Sequence, residues 1–151
     1  MKFMTIYVSG QAELEAKIQG LAHIDTQAIL DEGAAIIFNR MRSRFLRETD
    51  PTGVRWPQSK AAQRRAKSGR GGGTLFDVGK LFRSLQLYSV GTNQRAIGTN
   101  ASNLAGFPYP VVHNFGLAGF PMRQFLGFGN DDVKLMSDVV IKHILEQLTK
   151  K

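Results

Sequence analysis

Arg64, Arg65, Lys67 and Arg70 stand together just ahead of the run Gly71-Gly72-Gly73. Guanidinium and ammonium groups on a glycine-rich stretch suit contact with phosphates or carboxylates, so the chemistry on offer is anion binding and not bond making. The four cations belong to a segment, residues 49–84, that holds the only tryptophan, two of five prolines and six of sixteen glycines, with no acid between positions 51 and 76. From Arg40 to Arg83 twelve Lys/Arg face three acids, a local +9, whereas the remainder carries eight cations and nine acids, a local −1. The net charge of +8 therefore comes from one region, a pattern that favours polyanions or acidic protein surfaces as partners.

Other reactive groups are too scattered to form a site. His23, His113 and His143 never fall three or four residues apart, there is no HExxH, and the chain has no cysteine. Neither a zinc site nor a disulfide framework is expected, and no cofactor is implied. The glycines before Gly79-Lys80 invite comparison with a phosphate-binding loop. Thr74 occupies the first glycine position and Leu81 the Ser/Thr position, so the pattern fails twice. Asp31-Glu32 and Asp131-Asp132 are adjacent pairs that diverge on a helix, and the second pair reads as helix capping. No G-x-S-x-G elbow occurs. An enzyme is not expected.

Nucleic-acid binding is the stronger alternative. The basic 55–70 segment, with Arg64, Arg65, Lys67 and Arg70, has the character of a cationic arm. No recognition-helix pattern, zinc finger or ribonucleoprotein aromatic motif accompanies it, so contact with the phosphate backbone alone is expected.

These residues need elements to position them. The 151 residues, 42% hydrophobic and 21% charged, suit a single domain with one core. Residues 3–8 (FMTIYV) read as a strand and 11–21 as a short helix. The apolar run at the N-terminus is too short for a signal peptide, and no stretch is long enough to span a membrane. Asp25 or Thr26 caps a long helix running to about Arg47, with the stripe Leu30, Ala34, Ile37, Met41 and Phe45. A turn at Asp50-Pro51-Thr52-Gly53 follows, then Trp56 as a core anchor and a short basic helix at 59–67. The glycine-rich residues 68–73 are expected to be loose in the isolated subunit. A helical turn at 77–83 leads into strands at 84–90 and 94–99, joined by Gly91-Thr92-Asn93. Residues 109–116 include a helical turn closed by Gly116, and 120–128 run extended. Asn130 or Asp131 caps a final helix to about Thr149, with the stripe Val133, Met136, Val140, Ile144 and Leu148. The order implies an α+β fold. A small, mostly antiparallel sheet packs with a long central helix and a C-terminal amphipathic helix, and a basic loop leaves the body at about 50–75.

Two stretches together resemble a known family. ETDPTGVRWPQSKAAQRRAK followed by LFDVGKLFRSL is similar to the signature of the phage virion-morphogenesis, or tail-completion, proteins. The matching residues are Asp50, Pro51, Gly53 and Trp56, then Leu75, Gly79, Leu81 and Ser84. YPVVHNFGLAGFPMRQFLGF resembles the family's second motif through Tyr109, His113, Gly116, Pro121, Arg123, Phe125, Leu126 and Gly127. Pro110 stands where the family often has a small residue, and Val78 where it often has threonine.

The resemblance implies a structural component of the virion at the neck or head-proximal tail end of a long-tailed phage. It implies a homo-oligomeric ring, commonly hexameric, that meets the head connector, neck proteins and tail tube or sheath proteins. DNA passing through the lumen is a further non-specific contact for the basic loop, and no membrane is involved. Read physically, Pro121, Arg123, Phe125 and Leu126 suit either an interface, with an arginine between apolar anchors, or the core. His113 with Gly116 reads as a local cap or packing feature.

Overall fold

In the computed structural model, the described residues are 24–149 together with Ala16, Gln19 and Gly20, which are helical. The strand predicted at 3–8 lies outside them, as does most of the helix predicted at 11–21.

The first long element is α1, Thr26–Arg47. Asp25 caps it, its Oδ1 accepting the Ala28 N–H at 3.0 Å, and Glu48 ends it in the left-handed conformation. The predicted stripe faces inward: Ile37, Met41 and Phe45 are buried, with Gly33 and Arg44 beside them. After a turn, α2 (Lys60–Lys67) and the short α3 (Lys80–Ser84) lead into the hairpin β1 (Gln86–Ser89) and β2 (Arg95–Gly98). The strands pair antiparallel with Leu87 opposite Ile97 and Tyr88 opposite Ala96. A lone hairpin is marginal in water, and this one packs against α1. The short α4 (Tyr109–Phe115) and the final α5 (Asn130–Thr149) complete an α+β fold.

Phe45 is the centre of the core. Its ring lies 5.4 Å from Trp56 at 87°, 5.6 Å from Phe125 and 5.7 Å from Phe82, centroid to centroid. Edge-on packing of this kind sets the positive rim of one ring against the negative face of the next. Leu81, Leu85 and Ala101 fill the gaps between the rings. Arg42 lies over Phe82 at 4.7 Å, covering the aromatic cluster with its guanidinium.

α5 buries only part of the face its apolar spacing predicts: Met136, Ile144 and Leu148 are half-buried, whereas Val133 and Val140 are exposed. Its inward side carries Asp132, Met136, Val139 and His143, while Val133, Val140, Ile141 and Leu145 are exposed. The buried side is displaced from the predicted stripe toward Asp132 and Val139, with Met136 common to both. Asp132 causes the displacement. This carboxylate is completely buried, and a buried charge is tolerated only where it is paired and hydrogen-bonded. Arg44 Nη2 donates to both its oxygens, Arg40 Nε donates to Oδ1 at 2.7 Å, and the Gly129 N–H donates to Oδ2 at 2.7 Å. The last contact is a capping interaction at the start of α5. The capping role predicted for Asp132 is therefore only part of its function, and Asp131 beside it is exposed.

Burial pushes the Asp132 pKa up, but the hydrogen bonds from Arg44, the Gly129 amide and Arg40 outweigh it and hold the group below the ordinary aspartate value. A lowered folded pKa adds stability that is fully present above the unfolded value of about 3.9 and is lost as pH falls through the folded value. Asp132→Asn, which leaves Arg44 buried beside a neutral group, is expected to cost about 3–5 kcal/mol in urea unfolding at neutral pH. Asp131→Asn is expected to change stability by less than about 0.5 kcal/mol. The gap between the two variants is expected to narrow as the pH is lowered below about 4; equal stabilities at pH 7 would show that the buried pair does not hold α5.

Candidate functional site

The four cations do not stay together. α2 starts at the Ser59 cap, whose Oγ accepts the Ala62 N–H at 3.0 Å, and Ala62 is the buried residue that seats the helix. Arg64, Lys67 and Arg70 are exposed. Arg65 turns inward, donating from Nη2 to the Gly73 carbonyl at 2.8 Å, with its Nε 3.6 Å from Asp77. Of the four, Arg65 is thus the one that also closes the loop from within.

The residue that follows the glycine-rich stretch is tied down. Thr74 is buried, its Oγ1 accepting the Ser59 N–H at 3.2 Å and its own N–H donating to Glu48 Oε1 at 2.9 Å. A Cβ at Gly73 would collide with the Glu48 carboxylate. Glycine there lets the backbone pass close enough for Glu48 to reach Thr74. The left-handed end of α1, the head of α2 and the end of the loop are thereby joined at one point.

The motif residues form a set of internal clips. Asp50 Oδ1 accepts the Thr52 N–H, the Thr52 hydroxyl and the Val54 N–H, fixing the turn in which Gly53 takes φ +89°. Burial raises the Asp50 pKa, yet these hydrogen bonds win and leave it lowered. Pro51 packs on the backbone at Gly127 and Gly129. Trp56, buried as expected, donates from Nε1 to the Gln124 carbonyl at 3.1 Å. Gly79 adopts φ +74° ahead of α3, Leu81 enters the core, and the Ser84 hydroxyl bonds the Leu81 carbonyl and the Thr99 hydroxyl.

The second motif closes on the first. Gly116 ends α4 in the left-handed conformation, and Pro110 lies in the first turn, where no intrahelical N–H is needed. Arg123 Nε donates to the Pro57 carbonyl at 2.7 Å, and its backbone N–H donates to the His113 carbonyl at 2.7 Å. Arg123 Nη1 lies 3.3 Å from His113 Nδ1, and the His113 ring stands edge-on to Phe120 at 5.3 Å. Burial and then the Arg123 charge lower the His113 pKa, so its ring is neutral at pH 7. Phe125 is a core residue and Leu126 is partly buried against the same cluster. Phe125 lies in the core, whereas Arg123, although buried, also lines a cleft. Pro121 is exposed.

Asn114 escaped the sequence reading. It is buried, and its Oδ1 accepts the N–H groups of both Phe125 at 3.0 Å and Leu126 at 2.9 Å. The available signal was a short amide side chain two residues before a helix-closing glycine, a weak one without knowledge of what lies opposite.

What remains on the surface is apolar or basic. Leu104, Phe107, Val111, Phe115, Phe120 and Met122 are exposed within one short stretch. The outer face of α5 adds Val133, Val140, Ile141 and Leu145. A cleft of about 780 Å³ lies between α2 and the 109–123 stretch, and an apolar cavity of about 960 Å³ lies between α1, β2 and the 124–128 stretch. Between them these hollows are lined by one carboxylate, Asp77, and one imidazole, His113. Among the described residues no group of three His, Asp or Glu side chains is placed to hold a metal ion.

Compared with known proteins, residues 13–145 match the model of one family, described as the phage virion morphogenesis family. No curated protein and no solved structure matches.

The clips make a test of their own. Asn114→Ala leaves two amides without an acceptor and is expected to destabilise by about 1–3 kcal/mol per lost partner. Asn114→Asp, which keeps the accepting oxygen, is expected to lose less. Fluorescence of the single tryptophan, buried beside this junction, follows unfolding directly; equal losses for the two variants would assign the effect to packing instead.

Proposed function

The chain belongs to the phage virion morphogenesis family, and on that premise we propose that it completes or terminates the tail of a long-tailed phage. In this reading it joins the tail to the head connector as one subunit of a ring in the neck. The carrying observation is the family match over nearly the whole described chain, which gives a structural and assembly role in the phage particle.

The surface supports the finer reading. Exposed apolar surface favours contacts with other proteins, and the 104–122 stretch and the outer face of α5 each carry several exposed apolar side chains. Because they lie on different elements, one can meet the other on a neighbouring copy. Head-to-tail contacts of that type close into rings when the rotation allows. Most motif residues make internal clips that set the shape of the subunit, while His113, Pro121 and Arg123 also line the cleft beside α2.

Arg64, Lys67 and Arg70 face outward, toward a neighbouring subunit or DNA in the lumen. A stand-alone nucleic-acid-binding protein would use the same three residues. Replacing them together by glutamine is expected to leave the fold intact, since all three are exposed, and to reduce the joining of heads to purified tails in a complementation assay. Ile141→Glu with Leu145→Glu is expected to block incorporation into tails, seen by electron microscopy. Normal particles from both variants, with DNA affinity that falls steeply with salt and is lost in the glutamine variant, would replace the assembly reading with the nucleic-acid one.

A further inference from the structure

The cleft between α2 and the 109–123 stretch contains a charge without a counter-ion. Arg123 lines it and is 4% exposed. Its side-chain partners are the Pro57 carbonyl and His113, which offer dipoles but no negative charge. Among the described residues no carboxylate pairs with it. Burial lowers the Arg123 pKa, as expected for an ion taken from water without compensation. Around it Lys60, Arg64, Arg65 and Lys80 also line the cleft, against the single acid Asp77, a formal +4 with His113 neutral. Arg65 Nε is buried and makes no hydrogen bond, its nearest acid being Asp77 at 3.6 Å.

We propose that this cleft receives an acidic segment of a neighbouring virion protein, with a Glu or Asp side chain reaching Arg123. An adjacent apolar side chain packs against Leu75 and Phe120 on the cleft wall. The proposal rests on the assembly reading and gives its partner a chemistry. A carboxylate on a flexible stem can reach a guanidinium below the surface and meet its donors in fork geometry. The phosphates of a duplex are held on a stiff rod and suit the exposed cations of α2 better than a buried one. A volume of about 780 Å³ accommodates a few side chains, and apolar walls around an arginine are the composition of an interface centre.

His113 provides the readout. The Arg123 charge is one cause of its lowered pKa, so a carboxylate that neutralises this charge raises it. The experiment titrates the full chain with a short synthetic peptide rich in glutamate and carrying one phenylalanine, following the His113 ring resonances by NMR as a function of pH. Saturable binding and an upward shift of the His113 pKa are expected. Arg123→Gln removes the Pro57 bond and risks the fold, so the deciding variant is Lys60→Gln with Arg64→Gln and Lys80→Gln at the rim. It is expected to weaken the peptide by roughly tenfold or more through lost charge pairing. No saturable binding, an unmoved His113 pKa, or equal affinity in the rim variant overturns the proposal. So does a duplex DNA oligomer that shifts His113 when the peptide does not. A chain that assembles into particles but gives no His113 response removes this inference alone. A chain absent from particles removes the assembly reading, whatever the cleft does.

Discussion

A single carboxylate buried between two arginines governs how this chain is put together. Asp132 has no contact with solvent and is held by Arg44, Arg40 and the Gly129 amide. An ion in that position is destabilising unless each oxygen finds a donor, so the start of α5 has little freedom in where it sits on α1. Arg44 also donates to the Gly127 carbonyl at 3.2 Å, drawing the end of the second motif into the same knot. Farther along, Glu32 on α1 meets Lys142 and His143 on α5. These outer pairs are more exposed and contribute less, but they agree with the rotation that Asp132 imposes.

That rotation has a consequence for the surface. With α5 turned so that Asp132, Met136 and Val139 face α1, Val133, Val140, Ile141 and Leu145 face outward. Gly33 on α1 lets the Met136 side chain lie close against the helix. An amphipathic helix normally hides its apolar residues; here four of them stay exposed. An assembly subunit has a use for such a face, and a protein acting alone does not.

The motifs work by joining pieces that are weak in isolation. A two-stranded hairpin, several short helices and long irregular stretches offer few ladder hydrogen bonds of their own. Trp56 to Gln124, Arg123 to Pro57, and Asn114 to Phe125 and Leu126 supply cross-links between segments far apart in the chain. Phe45 packs where those segments meet. The glycines at 53, 79 and 116 allow the left-handed turns that bring the segments together.

Local chemistry made much of the fold legible before any coordinates. The cap at Asp25, the closing glycine at 116, both strands of the hairpin and the inward stripe of α1 follow from interactions within a few residues, which spacing and residue type express directly. The paired motifs likewise pointed to the right family, because their residues keep a fixed order along the chain. Tertiary structure alone decided which face α5 buries, since apolar periodicity does not register a distant arginine pair that outweighs a valine. It also decided that Arg65 turns inward while Arg64 stays out, and that Arg123 and Phe125 are interior. Each of those outcomes depends on a carbonyl, carboxylate or ring supplied by another part of the chain, and a linear pattern carries no record of what folds opposite it.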